Sequence, residues 1–244
     1  MIPAHFGSKD RLLFGIYAPA KGKRQRRGVL LCGPWGAEAL RAHRSLKSLS
    51  DLLADDGFDV FRFDYYGTGD SMGESLDVTL SGWVEDTEAA MDELMGIASV
   101  PKVSLVGLRL GAYAAAAAGA RRARQVERLL LWEPVTSGVA YLAELLPARA
   151  GAPGGEPWEV GGYALSPTLV EELRAARVAG PPGSWRAALV IRSSPGGPPE
   201  WSETQGGDLA VEVIPAPRCW VEDQDFGAGA VPVSQLERIR EWMR

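Results

Sequence analysis

The sequence predicts an α/β fold: a mostly parallel sheet covered by helices on both faces. Two observations carry this reading. Short aliphatic or β-branched runs alternate with longer segments whose apolar residues recur at helical spacing. The short runs in mid-chain are almost wholly apolar, as strands buried on both faces must be. The 244 residues, 46% hydrophobic and 23% charged, have an ordinary globular composition, which excludes collagen, coiled coil and wholesale disorder. That length suits one domain with an insertion better than two domains.

In chain order, residues 11–19 and 28–32 read as strands, 40–56 as an amphipathic helix and 58–63 as a strand. Residues 80–97 form a second helix, with Pro101 just beyond its last turn. Residues 102–106 are a short apolar strand followed by a glycine, 110–124 an alanine-rich helix, and 126–132 another buried strand. After Glu133 the regularity fails. Residues 134–182 are rich in Gly, Pro and Ala, with loops at 148–157 and 180–184 and weaker helical patterns near 141–146 and 168–178. Long irregular stretches inside a domain are commonly lids or binding loops. Residues of about 134–183 are therefore read as a cap insertion in a single domain, 1–244, whose core is 1–133 and 184–244. Strands resume at 187–191 and 209–214, a helix over 233–243 closes the fold, and no internal repeat is present.

Charge and composition narrow the function. Twenty-six basic against 31 acidic residues give a net charge of −5, which disfavours nucleic acid and anionic membrane as partners. The basic cluster Lys21-Gly22-Lys23-Arg24-Gln25-Arg26-Arg27 falls at an expected turn and reads as a solvated loop. Two cysteines, Cys32 and Cys219, and two histidines, His5 and His43, are scattered along the chain, so neither a disulfide framework nor a zinc site is expected. No metal or cofactor is expected. The N-terminal residues lack the apolar core of a signal peptide, and 110–120 is too short to span a bilayer. A cytoplasmic protein without membrane insertion is the expectation.

In open α/β sheets ligands bind beyond the carboxyl ends of the strands. The segments there are Gly33-Pro34-Trp35-Gly36-Ala37-Glu38, Asp64-Tyr65-Tyr66-Gly67-Thr68-Gly69-Asp70-Ser71, Gly107-Leu108-Arg109-Leu110-Gly111 and Glu133-Pro134. Together they resemble the α/β-hydrolase superfamily over nearly the whole chain. Gly107-Leu108-Arg109-Leu110-Gly111 is similar to the nucleophile elbow G-x-S-x-G, whose sharp turn demands its glycines. Asp64-x-x-Gly67-x-Gly69-x-Ser71 resembles the superfamily's D-x-x-G-x-G-x-S loop, and Gly33-Pro34-Trp35-Gly36 lies where the oxyanion-hole loop belongs. Within the superfamily, the phrases of residues 107–112 and 132–138 look most like hydrolase-like proteins associated with exosortase systems. A second resemblance is to the serine aminopeptidase-like branch. The exosortase resemblance implies a gene beside an exopolysaccharide or protein-sorting locus.

The departures from the pattern bear on activity. The elbow position holds Arg109, and a guanidinium is no nucleophile. The late loop, where the triad's histidine belongs, reads Pro215-Ala216-Pro217-Arg218-Cys219-Trp220, and no histidine follows His43. The turn where the acid belongs, residues 192–200, holds no Asp. The Ser-His-Asp mechanism is expected to be absent.

Arg109 then has two readings. One is an internal ion pair with Glu133, at the end of the next strand, filling the former site. The other is an anion clamp for a carboxylate, phosphate or acyl-carrier group, supported by the N–H groups at the helix start near Leu110. His43 reads as a solvated helix residue or a ligand contact, and Cys32 as an inert core residue. Asp64 and Ser71 brace their glycine turn. Trp35, Gly36, Tyr65, Tyr66 and Trp220 either line a pocket or belong to the core. The expectation is a hydrolase-like protein without the triad that binds a small acidic or acyl ligand, or a protein partner, near Arg109. A homo-oligomer is also compatible. The alternatives are an active esterase, thioesterase or peptidase with a nonstandard site, and a scaffold with a filled, closed pocket.

Overall fold

A computed structural model describes residues 1–146, 156–177, 187–195, 209–221 and 229–244. Eight strands form one sheet: β1 (Ile2–Ser8), β2 (Arg11–Ala18), β3 (Gly28–Cys32), β4 (Asp59–Asp64), β5 (Val103–Leu108), β6 (Val126–Trp132), β9 (Ala188–Arg192) and β10 (Leu209–Val213). Their order is β1-β2-β4-β3-β5-β6-β9-β10. The β1–β2 and β2–β4 pairs are antiparallel and every other pair is parallel. The central strands β3 and β5 are buried at every residue, as their continuous apolar sequences require.

Alternation along each strand sends side chains into two cores. On one face Phe61, Leu105 and Leu129 pack with Trp83, Met91 and Leu94 of α2 (Leu80–Ala98) and the alanines of α3 (Leu110–Arg121). On the other, Val29, Val60 and Val106 meet Leu46, Leu49 and Leu53 of α1 (Ala37–Asp55) and Leu236, Ile239 and Met243 of α6 (Val233–Met243). Small alanines let α3 lie close to the sheet. Thr79 caps α2 by accepting from the Gly82 N–H at 3.0 Å, the N-cap role its hydroxyl suits.

Between β6 and β9 the chain forms α4 (Gly138–Leu145), a hairpin of β7 (Trp158–Val160) and β8 (Tyr163–Leu165), and α5 (Pro167–Ala175). Glu172 on α5 accepts from the Leu80 N–H at 2.5 Å and the Ser81 hydroxyl at 2.6 Å, tying this excursion to the start of α2. The helical patterns expected near 141–146 and 168–178 correspond to α4 and α5. Of the loops expected at 148–157 and 180–184, residues 148–155 and 180–184 lie outside the described residues, as do 196–200 of the turn after β9. Among the described residues no helix is long and apolar enough to cross a membrane.

Two elements escape the sequence reading. β1 is mostly exposed, with Phe6 alone fully buried, so its pattern carries no strand signal and pairing to β2 holds it extended. The β7–β8 hairpin turns on Gly161 and Gly162, both at positive φ, and its three-residue strands are too short to show a period.

Candidate functional site

The turn between β5 and α3 has a sharp strand-to-helix geometry. Arg109 is the helix N-cap at φ 54, ψ −120, a left-handed conformation that a non-glycine residue holds only where its surroundings impose it. The turn permits nothing larger than hydrogen on either side. A Cβ on Gly107 would meet the Ala112 Cα at 2.5 Å, and one on Gly111 would overlap the carbonyl oxygens of Cys32 and Gly33. The Arg109 N–H donates to the Trp132 carbonyl at 3.0 Å, and the Arg109 carbonyl accepts from Val135 at 3.3 Å. Neighbouring strands thus clamp the turn.

The Arg109 guanidinium is buried and paired twice. Its Nε donates to Glu38 Oε1 at 3.0 Å, and its Nη2 to Glu144 Oε1 at 2.7 Å. The Tyr141 hydroxyl donates to the other Glu38 oxygen at 3.0 Å. Trp220 and Tyr141 offer ring faces, their centroids 4.8 Å and 5.5 Å from the guanidinium carbon. The cluster therefore joins the start of α1 (Glu38), α4 (Tyr141, Glu144) and the late loop (Trp220) to the elbow. Burial pushes the Glu38 carboxyl up, and Arg109 and Tyr141 pull it only part of the way back. Burial disfavours charge on Arg109 as well, but the Glu38 and Glu144 carboxylates outweigh it and hold the guanidinium protonated.

These contacts correct the expected Arg109–Glu133 pair. Leu108 and Trp132 are neighbours in the sheet, so Glu133 does follow its strand beside Arg109. Its backbone, however, turns to φ 45 and donates to the Ile191 carbonyl at 2.8 Å. Its carboxylate accepts from Gln235 Nε2 at 3.2 Å, and Gln235 in turn accepts from Trp132 Nε1 at 2.7 Å. Adjacency in a sheet fixes where a residue starts and not where its side chain ends. Glu38, Tyr141 and Glu144 are the residues sequence reasoning missed. The available signal was an acid in the first turn of α1, directly after Gly36.

The other candidates fall into two groups. Leu110, 2% exposed, begins α3 behind the elbow. Trp35 is buried, edge-on to Tyr163 at 5.9 Å, and Tyr65 is buried, stacked on Trp83 at 3.8 Å; both rings are core. Gly36, His43 and Tyr65 border a cavity of about 310 Å³ between α1, β2 and β4 that Arg109 does not line. The glycine loop is braced as expected. The Asp64 carboxylate accepts from the Asp70 N–H at 3.0 Å. Ser71 donates to the Asp64 carbonyl at 2.6 Å and accepts from the Phe14 N–H at 2.8 Å. Tyr66 anchors the loop from behind: its N–H donates to Asp86, which also holds Arg11. Cys32 and Cys219 are free and buried, and burial pushes each thiol up to about 12. No group of three potential metal ligands occurs among the described residues.

Comparison with known proteins follows the geometry. Residues 40–152 match the family profile described as "Serine aminopeptidase, S33". No curated protein sequence matches the chain. Among solved structures, Est1E from Butyrivibrio proteoclasticus with bound ferulic acid superposes with a TM-score of 0.71 at 18% identity, covering 98% of this chain and 97% of that one. Alpha/beta hydrolase domain-containing protein 10 from mouse gives 0.61 at 16%, covering 100% and 98%. The bottromycin epimerase BotH, in complex with bottromycin A2, gives 0.60 at 16%, covering 99% and 96%. The fold is that of the α/β-hydrolases.

Proposed function

We propose that this chain is a hydrolase-fold protein in which an arginine has replaced the nucleophilic serine, and that it binds a ligand or partner without acyl transfer. The observation that carries the reading is the state of Arg109, buried at the elbow with its charge met by Glu38 and Glu144. A guanidinium cannot be deprotonated near neutral pH. A serine mechanism needs a nucleophile with an adjacent base. The chain's two histidines are elsewhere: His5 is edge-on to Phe14 at 5.3 Å on β1, and His43 borders the separate cavity. Trp220, on the late loop, lies over the guanidinium. With both thiols at about 12, neither cysteine supplies a thiolate.

The profile match supports kinship with the serine aminopeptidase-like branch, and the phrases of residues 107–112 and 132–138 support the narrower exosortase-associated reading. A neighbour described as an epimerase fits the broader point that one fold hosts many chemistries. The ligand proposed at Arg109 is acidic or acyl, held under the cap of about residues 134–183. Because two carboxylates already meet the guanidinium, an acidic ligand there takes the place of half-exposed Glu144 and leaves buried Glu38 in position.

The test is intact mass after exposure to a fluorophosphonate probe. The proposal expects the unmodified mass. A stoichiometric adduct on any serine or cysteine would establish an active hydrolase with a nonstandard site instead.

A further inference from the structure

We infer that the cavity between α1 and the β2–β4 side of the sheet binds a small amphipathic monocarboxylate, with its head on Arg62 and its apolar body along Phe14, Ile16 and Leu40. This goes beyond the reading of Arg109 and does not depend on it. The cavity's volume, about 310 Å³, lies at the lower end of small-molecule sites.

Two regular surfaces make its walls. On α1, Leu40, His43 and Leu46 recur at three-residue spacing and share one helix face. On the sheet, Phe14 and Ile16 of β2 and Arg62 and Asp64 of β4 are alternate residues on one side, with Ile16 beside Arg62 and Phe14 beside Asp64 in the register. Leu40 is 73% exposed and Phe14 and Ile16 are half-buried, so apolar surface stands open where the fold does not need it.

Arg62 supplies the head contact. Its Nε is buried and has no hydrogen-bond acceptor. Among the described residues its guanidinium bonds only through Nη2 to the Met1 sulfur at 3.9 Å, a weak acceptor. A half-buried guanidinium with no oxygen acceptor among the described residues is what a carboxylate completes, through charge-assisted bonds. Arg109 is met by two carboxylates within ion-pair distance; among the described residues Arg62 makes no such pair, and Asp51 and Asp64 act on it only through space.

The remaining charges set the ligand's valence. Asp64 lies beside Arg62 but is committed to the Asp70 N–H, and burial raises its carboxyl. Asp70 is exposed at the rim. Asp51 of α1 acts on Arg62 more strongly than Asp64 does, and Lys47 of α1 acts on His43. Burial, then Arg62, lower the His43 imidazole, so near neutral pH it is uncharged and can donate or accept. With Asp51, Asp64 and Asp70 acting at the site, it tolerates one negative charge better than a phosphate dianion.

The experiment is calorimetric titration of the full chain with octanoate, octylamine and 1-octanol. Octanoate is expected to bind this cavity saturably, and octylamine and octanol more weakly by about tenfold or more. Arg62→Gln is expected to weaken octanoate by a similar factor. Leu40→Trp, which fills the cavity from an exposed position, should abolish binding and keep the fold. Neither Arg62 nor Leu40 touches the Arg109 cluster, so loss of binding in these two variants separates this site from Arg109; fluorophosphonate labelling tests the other reading independently. No saturable octanoate binding, equal binding of octylamine, or unchanged affinity in Arg62→Gln would each overturn the inference.

Discussion

Replacing Glu38 by glutamine keeps the shape of the side chain and removes the charge facing Arg109. The pair meets at 3.0 Å with both side chains 9% exposed. Charge centres about 4 Å apart attract by on the order of 4 kcal/mol at an effective dielectric of about 20. Removing one member of a buried pair typically costs about 3–5 kcal/mol, mostly because the other charge is stranded. Here Glu144 still compensates the guanidinium, so the lower end applies, about 3 kcal/mol. The half-exposed Glu144 should cost about 1 kcal/mol or less on change to Gln. Glu133, bonded to a neutral amide, should cost about 1 kcal/mol. Urea unfolding gives each free energy, and the Glu38→Gln melting temperature should fall by roughly 6–12 °C. Arg109→Met combined with Glu38→Gln should cost less than the two single changes together, since the residues are coupled. A Glu38→Gln protein within about 0.5 kcal/mol of wild type, or Glu133→Gln as the costliest of the three, would refute the assignment of partners.

Both cysteines should resist iodoacetamide in the folded protein near pH 8, because burial holds the thiols at about 12, and should react once urea unfolds the chain; labelling of either without unfolding, read by mass, contradicts this. Gly111→Ala should cost about 3 kcal/mol or prevent accumulation, since its Cβ would strike backbone oxygens that cannot yield. Gly96→Ala in α2, with nothing within 4 Å of a Cβ, should stabilise by about 0.5–1 kcal/mol, and equal effects of the two would show that the elbow is not tight. Hydrogen bonds from Arg240 and Arg244 hold the Asp56 carboxyl far below its usual range. Its folded value lies below the unfolded one, so its contribution is present above about pH 4 and lost as pH falls further. The stability gap between wild type and Asp56→Asn should therefore shrink under acid, and a gap that widens would reverse the sign.

The fold was legible because its strands bury both faces. Continuous runs such as Val29-Leu30-Leu31 and Leu129-Leu130-Leu131 admit few alternatives, and residues 28–32, 126–132 and 233–243 were bounded as the structure has them. β1 was illegible because pairing with β2, not its own pattern, makes it a strand. The elbow was legible from two glycines whose missing Cβ atoms the backbone enforces. The partner of Arg109 was not. Strand order places Glu133 next to it, while side-chain direction depends on the φ of 45 at Glu133 and on Gln235 arriving from α6. Glu38 and Glu144 reach Arg109 from helices 71 and 35 residues away in sequence, a convergence that no local spacing encodes. The cavity beside Arg62 was half legible: His43, Gly36 and Tyr65 were singled out, but Arg62 hid within a strand as an ordinary alternating polar residue.

The most direct test of a non-hydrolytic elbow is steady-state hydrolysis of p-nitrophenyl esters and amino-acid nitroanilides by the wild type and by Arg109→Ser. Both should stay at the buffer blank, because the variant gains a hydroxyl without a base to activate it. Saturable turnover by the wild type, or a serine variant that turns over readily, would show a working catalytic base at this site and contradict the account.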